Sequence, residues 1–300
     1  MEGKSKEELV SIVNTPITEE VIYGSLKKPQ ELVELEKFAK ENSIDLYALG
    51  FFLTTWIPYS PQPIDMIPFA TTGVDGTYFA FLTDFKRDIN LSKSPVVVYS
   101  SGGLEFEGHT YSPVLFARNF KDFLSICCQF PNPSAVYESD PRTSSFDMEF
   151  MEMMCDEDEL EEHKELSSLI RKRFSLNKIH DPNEYFTNFY EERNGASFIK
   201  TNDPLNIHFP QIGKANYPQL TELVSNVELA RYLEESDQYN RLLTYRNYPS
   251  LHINYSSEEF LGMLEVLIEF LRKDGFDREA NVLQLNWEKE KANKLLHGKS

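Results

Sequence analysis

Between Met66 and Leu124 the apolar positions change period, first recurring in steps of two and then in steps of three and four. Met66 to Ala70 is a short apolar strand, and Thr71 to Gly76 a turn in which Asp75-Gly76 is the strongest hairpin signal of the chain. Thr77 to Thr83 alternates, with Tyr78, Ala80 and Leu82 on one face and Phe79, Phe81 and Thr83 on the other. Both faces are largely apolar, which predicts a central strand covered on both sides. Asp84 to Ser94 is polar and loop-like. Pro95 opens a third strand, Val96 to Tyr99, which Ser100 to Gly103 ends. Val114 to Arg118 is a fourth short strand. Asn119 then caps a helix whose stripe is Phe120, Phe123, Leu124 and Cys127, with Asp122 in its first turn and Pro131 and Pro133 as its stop.

The flanks read mainly as helix. Glu7 to Val13 predicts one or two turns ended by Thr15-Pro16, and Ile17 to Leu26 a short helix or an extended arm. Pro29 to Asn42 is amphipathic through Leu32, Leu35, Phe38 and Ala39. In Ile44 to Thr55 alternation favours a strand while length allows a helix; the reading taken is a helix leading into irregular chain, then a proline-rich loop at Pro58, Pro61 and Pro63. Pro131 to Ser145 is linker-like. A charged helix follows, acidic at its start and ending Arg171-Lys172-Arg173, with Met148, Met151, Met154, Leu166, Leu169 and Ile170 as its apolar positions and a break near Asp156. Tyr185 to Ile199 reads as a second hairpin about Asn194-Gly195. Leu220 to Leu233 is a helix, and Tyr239 to Pro249 has no assignment. Ser256 with Glu259 forms a capping box before the stripe Phe260, Leu264, Leu267, Ile268 and Leu271, which Gly275 terminates. Asp277 to Leu296 is the last helix.

Charge narrows the classes of partner. With 48 acidic and 30 basic residues the formal net charge is -18. A field of that sign repels phosphate backbones and anionic membrane surfaces and favours a basic protein partner, so no nucleic acid and no membrane is expected. The cysteines are Cys127, Cys128 and Cys155, an odd count with two adjacent, which is a poor disulfide framework and fits a reducing cytoplasm. The N-terminus has no apolar signal core, and Ala48 to Ile57 is too short to span a bilayer.

The candidate chemistry is sparse. The cluster Asp156 to His163 lacks the glycine of a calcium loop and the Glu-x-x-His of a di-iron helix, so it reads as a solvated face. The six histidines are scattered, and neither a zinc spacing nor a phosphate-cradling glycine motif occurs; no metal and no cofactor is expected. Trp56 and Tyr59 in the proline-rich loop are residue types enriched at protein interfaces, with a core plug as the competing reading of Trp56. Asp75 and Asp84 lie at the ends of the second strand. These four, Trp56, Tyr59, Asp75 and Asp84, are the candidate partner-facing residues.

The central stretch resembles the SUKH superfamily, also called the SMI1/KNR4 family. The matching features are Ile67-Pro68-Phe69-Ala70, the turn Gly73 with Asp75-Gly76, the strand Tyr78 to Asp84, the strand Pro95 to Tyr99, and the helix carrying Phe120 and Phe123-Leu124. The likeness covers roughly residues 30–130. The third strand departs from it, ending Tyr99-Ser100-Ser101 where many members carry a tryptophan and acidic residues. The resemblance implies an α+β domain with a curved, mainly antiparallel sheet and flanking helices on one side of it, and no established catalytic residues. It also implies the roles of its bacterial members, among them immunity proteins that neutralise toxins by direct binding. The expected organisation is a SUKH-like domain over 1–130, a linker or long loop over 131–147, and a mainly helical C-terminal region over 148–300 with a hairpin near 190–200. The expected function is a non-enzymatic, cytoplasmic protein-binding module, an immunity protein or regulatory scaffold; the alternatives are an enzyme using carboxylates at the hairpin mouth, or a structural homo-oligomer.

Overall fold

A computed structural model describes residues 4–54, 63–73, 76–100, 104–106, 109–111, 113–131, 133, 155–195, 199–203, 205–208, 219–220, 222–247 and 257–297. Its strands are β1 (Phe52–Leu53), β2 (Met66–Thr71), β3 (Thr77–Leu82), β4 (Val96–Ser100), β5 (Leu104–Phe106), β6 (His109–Tyr111) and β7 (Val114–Ala117). Five of them form one open antiparallel sheet in the order β1-β2-β3-β4-β7, while β5 and β6 pair with each other. β3 is the middle strand, as its two apolar faces require. Registers such as Ile67↔Phe81 and Phe79↔Val98 put side chains of one parity on one face. Phe69 follows Ile67 onto that face by alternation, and a register shift between Pro68 and Ala70 sets Ala70 opposite Phe79, so that Ala70 joins the same cluster.

The helices are α1 (Lys6–Val13), α2 (Glu19–Tyr23), α3 (Gln30–Asn42), α4 (Phe120–Gln129), α5 (Glu157–Phe174), α6 (Pro182–Gly195), α7 (Asn226–Glu235), α8 (Gln238–Asn247), α9 (Glu258–Lys273) and α10 (Asp277–His297). Asn119 caps α4 by accepting from the Asp122 N–H at 3.0 Å. Gly275, at φ 76°, ends α9: its N–H donates to Arg272 O while the Phe276 N–H donates to Leu271 O, the double bond pattern of a Schellman turn.

Several sequence expectations are corrected. The hairpin near 190–200 is the helix α6, followed by an isolated bridge between Ile199 and Ile207. Asn-Gly marks a helix end as well as a hairpin turn, and Tyr185, Phe186, Phe189 and Tyr190 recur at helical spacing. In the segment Ile44 to Thr55 the described residues, up to Thr54, form a single 3-10 turn, Leu46–Leu49, and then β1. The helix expected from Leu220 starts at Asn226, where Ser225 and Glu228 make a reciprocal capping box. Ser257, one residue after the expected cap, receives the Phe260 N–H at 3.0 Å and begins α9. The unassigned stretch after Tyr239 is α8. The methionines of the charged helix, Ser256 and most of the 131–147 linker lie outside the described residues.

Three apolar clusters hold these elements together. On one sheet face Ile67, Phe69, Phe79, Phe81, Val96, Val98 and Phe116 meet α4, where Phe123 packs on Phe69 and Phe79 with ring centroids 5.1 and 5.0 Å away. On the other face Tyr78, Leu82, Val97 and Leu115 meet Phe189, Tyr190 and Leu205. The third cluster joins α7 to α10 and takes in Ile64 and Phe85 from the strand ends. The C-terminal helices are integral to the N-terminal part. Ile170, Phe174, Phe186 and Val282 enter the first cluster, and α1 packs along α10. Arg278 of α10 donates to the carbonyls of Ile22, Ile64 and Met66.

Candidate functional site

Antiparallel pairing of β2 with β3 brings the entry of one strand beside the exit of the other. Asp65 precedes β2 and Asp84 follows β3; the Thr83 N–H and hydroxyl both donate to the Asp65 carbonyl at 2.9 Å. Two arginines from the C-terminal half close on this end of the sheet. Arg246 of α8 donates from Nη1 to both Asp65 oxygens, at 2.7 and 2.6 Å, and from Nε to Asp203 Oδ2 at 2.9 Å. The side chains of Arg246 and Asp65 are fully buried. Arg193, at the end of α6, forks onto Asp84 at 2.5 and 3.1 Å and also donates to the carbonyls of Leu205 and Asn206. The His208 N–H adds a bond to Asp84 Oδ1 at 3.2 Å, and Lys86 Nζ lies 3.5 Å from Oδ2.

The two carboxylates titrate in opposite directions because their surroundings differ. Burial pushes Asp65 up to about 6; Arg246 opposes the rise but is shared with Asp203, and the nearby Asp84 and Asp203 charges add to it. Burial would raise Asp84 too, yet Arg193, Lys86 and the His208 N–H outweigh it and hold the group below the ordinary aspartate range. The His208 ring is lowered by burial and by Lys86. Burial also works against the charge of Arg246, but Asp203 and Asp65 more than offset it. Charges withdrawn this far from water persist only when paired and hydrogen-bonded, and these are.

The same strand end carries backbone strain. Asp84 and Phe85 both have left-handed backbones, at φ 51° and 57°, and the Lys86 N–H donates to Thr83 O at 3.0 Å. This is the pattern of a primed tight turn, whose second central position normally holds glycine. For residues with a Cβ the conformation costs about 1–2 kcal/mol each. What holds it is packing. Phe85 is buried against Phe276, 5.4 Å between centroids, and Tyr245, while Asp84 is fixed by Arg193. Asp274 anchors the far side, accepting from Tyr245 Oη and Arg241 Nε at 2.8 Å, with Arg87 bonded to its carbonyl.

Elsewhere the reactive side chains are packed. Cys127, on the apolar stripe of α4, and its neighbour Cys128 are both buried, and burial raises both thiols, Cys128 to about 11. His163 Nε2 lies 2.9 Å from Cys127 O and 3.3 Å from Ser167 Oγ, and burial lowers its ring. Among the described residues no group of three His, Cys, Asp or Glu side chains could hold a metal ion. Surface grooves lie among the described residues. One, of about 500 Å³, lies between α9 and α10 at Glu265, Ile268 and Lys273; another, of about 380 Å³, lies between α3 and α5 at Val33, Phe38 and Arg173.

Of the residues singled out from the sequence, Asp84 lies in the hub, 1% exposed and turned toward Arg193. Trp56, Tyr59 and Asp75 lie outside the described residues. Gly73 and Gly76, on either side of Asp75, have the positive φ of 81° and 60° that a tight turn uses. Sequence reasoning missed Asp65, Arg193, Asp203 and Arg246. The one available signal was Arg246 inside a run of aromatic and apolar residues, where a solvated charge is out of place.

No protein-family model matches the chain, and no curated protein does. Among the described residues no helix is long and apolar enough to cross a membrane.

Proposed function

We propose that this protein is a SUKH-like binding module that works by contact with a basic protein, in the manner of an immunity protein or regulatory scaffold. The observation that carries the reading is where the charge resides. The charged residues buried among those described are Asp65, Asp84 and Glu279 against Arg193, Arg246, Arg278 and Lys289. Among the described residues cations are thus slightly in excess inside, so their acidic excess lies on the outer surface. Such a surface steers a cationic partner into encounter. The open five-stranded sheet with the phenylalanine-rich α4 across one face supports the reading, while α6 on the second face departs from the one-sided arrangement that the family resemblance implies. On the alternative reading, carboxylates at the hairpin mouth would do acid–base work, but Asp84 there is committed to Arg193.

The test is affinity capture with the full-length tagged protein from its native host at low and at raised salt. A basic protein retained at low salt and released as salt rises is the expected result. An empty capture at low salt, or a partner that is acidic and indifferent to salt, would overturn the proposal.

A further inference from the structure

Asp84 and Phe85 are consecutive, buried, non-glycine residues with left-handed backbone, and apart from the neighbouring Lys86 and Ile64 the groups that fix them come from the C-terminal half. Arg193 at the end of α6 and the His208 N–H bind the Asp84 carboxylate; Tyr245 of α8 and Phe276 before α10 receive the Phe85 ring. On the sheet side the same turn is continuous with the β2–β3 ladder, through the Thr83 N–H on Asp65 O. A backbone conformation that is unfavourable by itself persists only while its surroundings over-determine it. Here the over-determining groups sit on another part of the chain. We infer that the turn Thr83–Lys86 is a strained joint, in which seating of Arg193, His208 and the Phe85 pocket is coupled to the exit of β3, so that unseating them lets Asp84 and Phe85 relax to extended backbone. Opening is then one cooperative event and not independent fraying of each contact. The hub consequently has two discrete arrangements, seated and released, through which a perturbation at the end of α6 reaches the central strand.

The experiment is native-state hydrogen exchange on the full-length protein in urea concentrations below its unfolding transition. The reporters are the amides of Thr83, Lys86 and His208, each of which donates a bond that the joint holds. The expected result is that all three exchange through one shared, urea-sensitive opening, at least tenfold more often than the amides of the β3–β4 ladder. In Arg193→Gln the three should speed up together, again by tenfold or more, with the ladder amides unmoved relative to global unfolding. If the three exchange only with the ladder, or each at its own rate without dependence on urea, the inference is overturned. The wild-type measurement decides the matter even where the variant does not fold.

Discussion

At the scale of single residues the hub makes sharp demands on stability. Among the described residues Arg246 pairs with both Asp65 and Asp203, so Arg246→Leu leaves two carboxylates without this counter-charge. It is expected to lower the unfolding free energy by about 3–5 kcal/mol, read from urea denaturation. Asp65 gives a pH signature of definite sign. Its folded pKa, about 6, lies above the ordinary 3.8, so the folded state binds this proton more tightly than the unfolded chain does. The stabilisation from that proton is fully present below pH 3.8 and is lost as pH rises to about 6. Asp84, whose pKa is depressed, acts in the opposite sense and only as pH falls below 3.8. Wild type should therefore lose about 2 kcal/mol relative to Asp65→Asn between pH 4 and 6, and a few tenths more before the curves run parallel above about pH 7. Parallel stability curves for the two proteins over that range would contradict it. At Phe85 the usual order of substitutions should invert. Both Phe85→Ala and Phe85→Gly empty the same pocket, but alanine keeps a Cβ at φ 57° and glycine does not. The glycine variant is expected to be the more stable by about 1 kcal/mol in the same assay.

At the scale of elements the helix α6 does for the edge of the sheet what another strand would do. β7 ends the strand order, and an uncovered edge is a template for pairing with another chain. Tyr190 Oη accepts the Leu115 N–H at 3.1 Å; Tyr185 Oη accepts the Arg118 N–H at 2.8 Å and donates to Asp122 at 2.8 Å. Tyr190→Phe removes an acceptor from a buried donor while keeping the ring, so a loss of about 1–3 kcal/mol is expected, together with faster exchange of the Leu115 amide. Unchanged stability and exchange would mean that the hydroxyl is dispensable at this edge. This helix also shows where sequence reading stops. β2, β3, β4, β7 and α4 were legible because their burial follows a local period of two or of three and four, with Asn119 marking the change between them. α6 was not, since Asn194-Gly195 serves two kinds of chain reversal and its aromatics cover a sheet edge that local sequence does not display. The hub was hidden for a related reason. Asp65, Asp84, Arg193, Asp203 and Arg246 are far apart in sequence, and a lone charge reads as solvated until tertiary structure supplies its partner.

At the scale of the whole molecule the expected division at residues 131–147 does not coincide with a division of the packing. The second sheet face, with Tyr78, Leu82, Val97 and Leu115, is apolar and meets Phe189, Tyr190 and Leu205 from beyond that segment. The first core takes Ile170, Phe174, Phe186 and Val282 from beyond it as well. Arg278 fastens α10 to the carbonyls of Ile22, Ile64 and Met66. A chain ending at Phe130 would leave a sheet face, the Asp65 and Asp84 carboxylates and the Phe85 ring without what covers them. Burying apolar area contributes roughly 25 cal/mol per Å², so such a face is a large loss for a fragment of that size. Residues 1–130 expressed alone are therefore expected to aggregate or to lack a cooperative unfolding transition. The complete chain should unfold with near-UV and far-UV circular dichroism coinciding. A soluble 1–130 fragment with a sharp transition and dispersed amide resonances would show that the central sheet stands without the C-terminal helices, and that the shared cores are an interface between two domains.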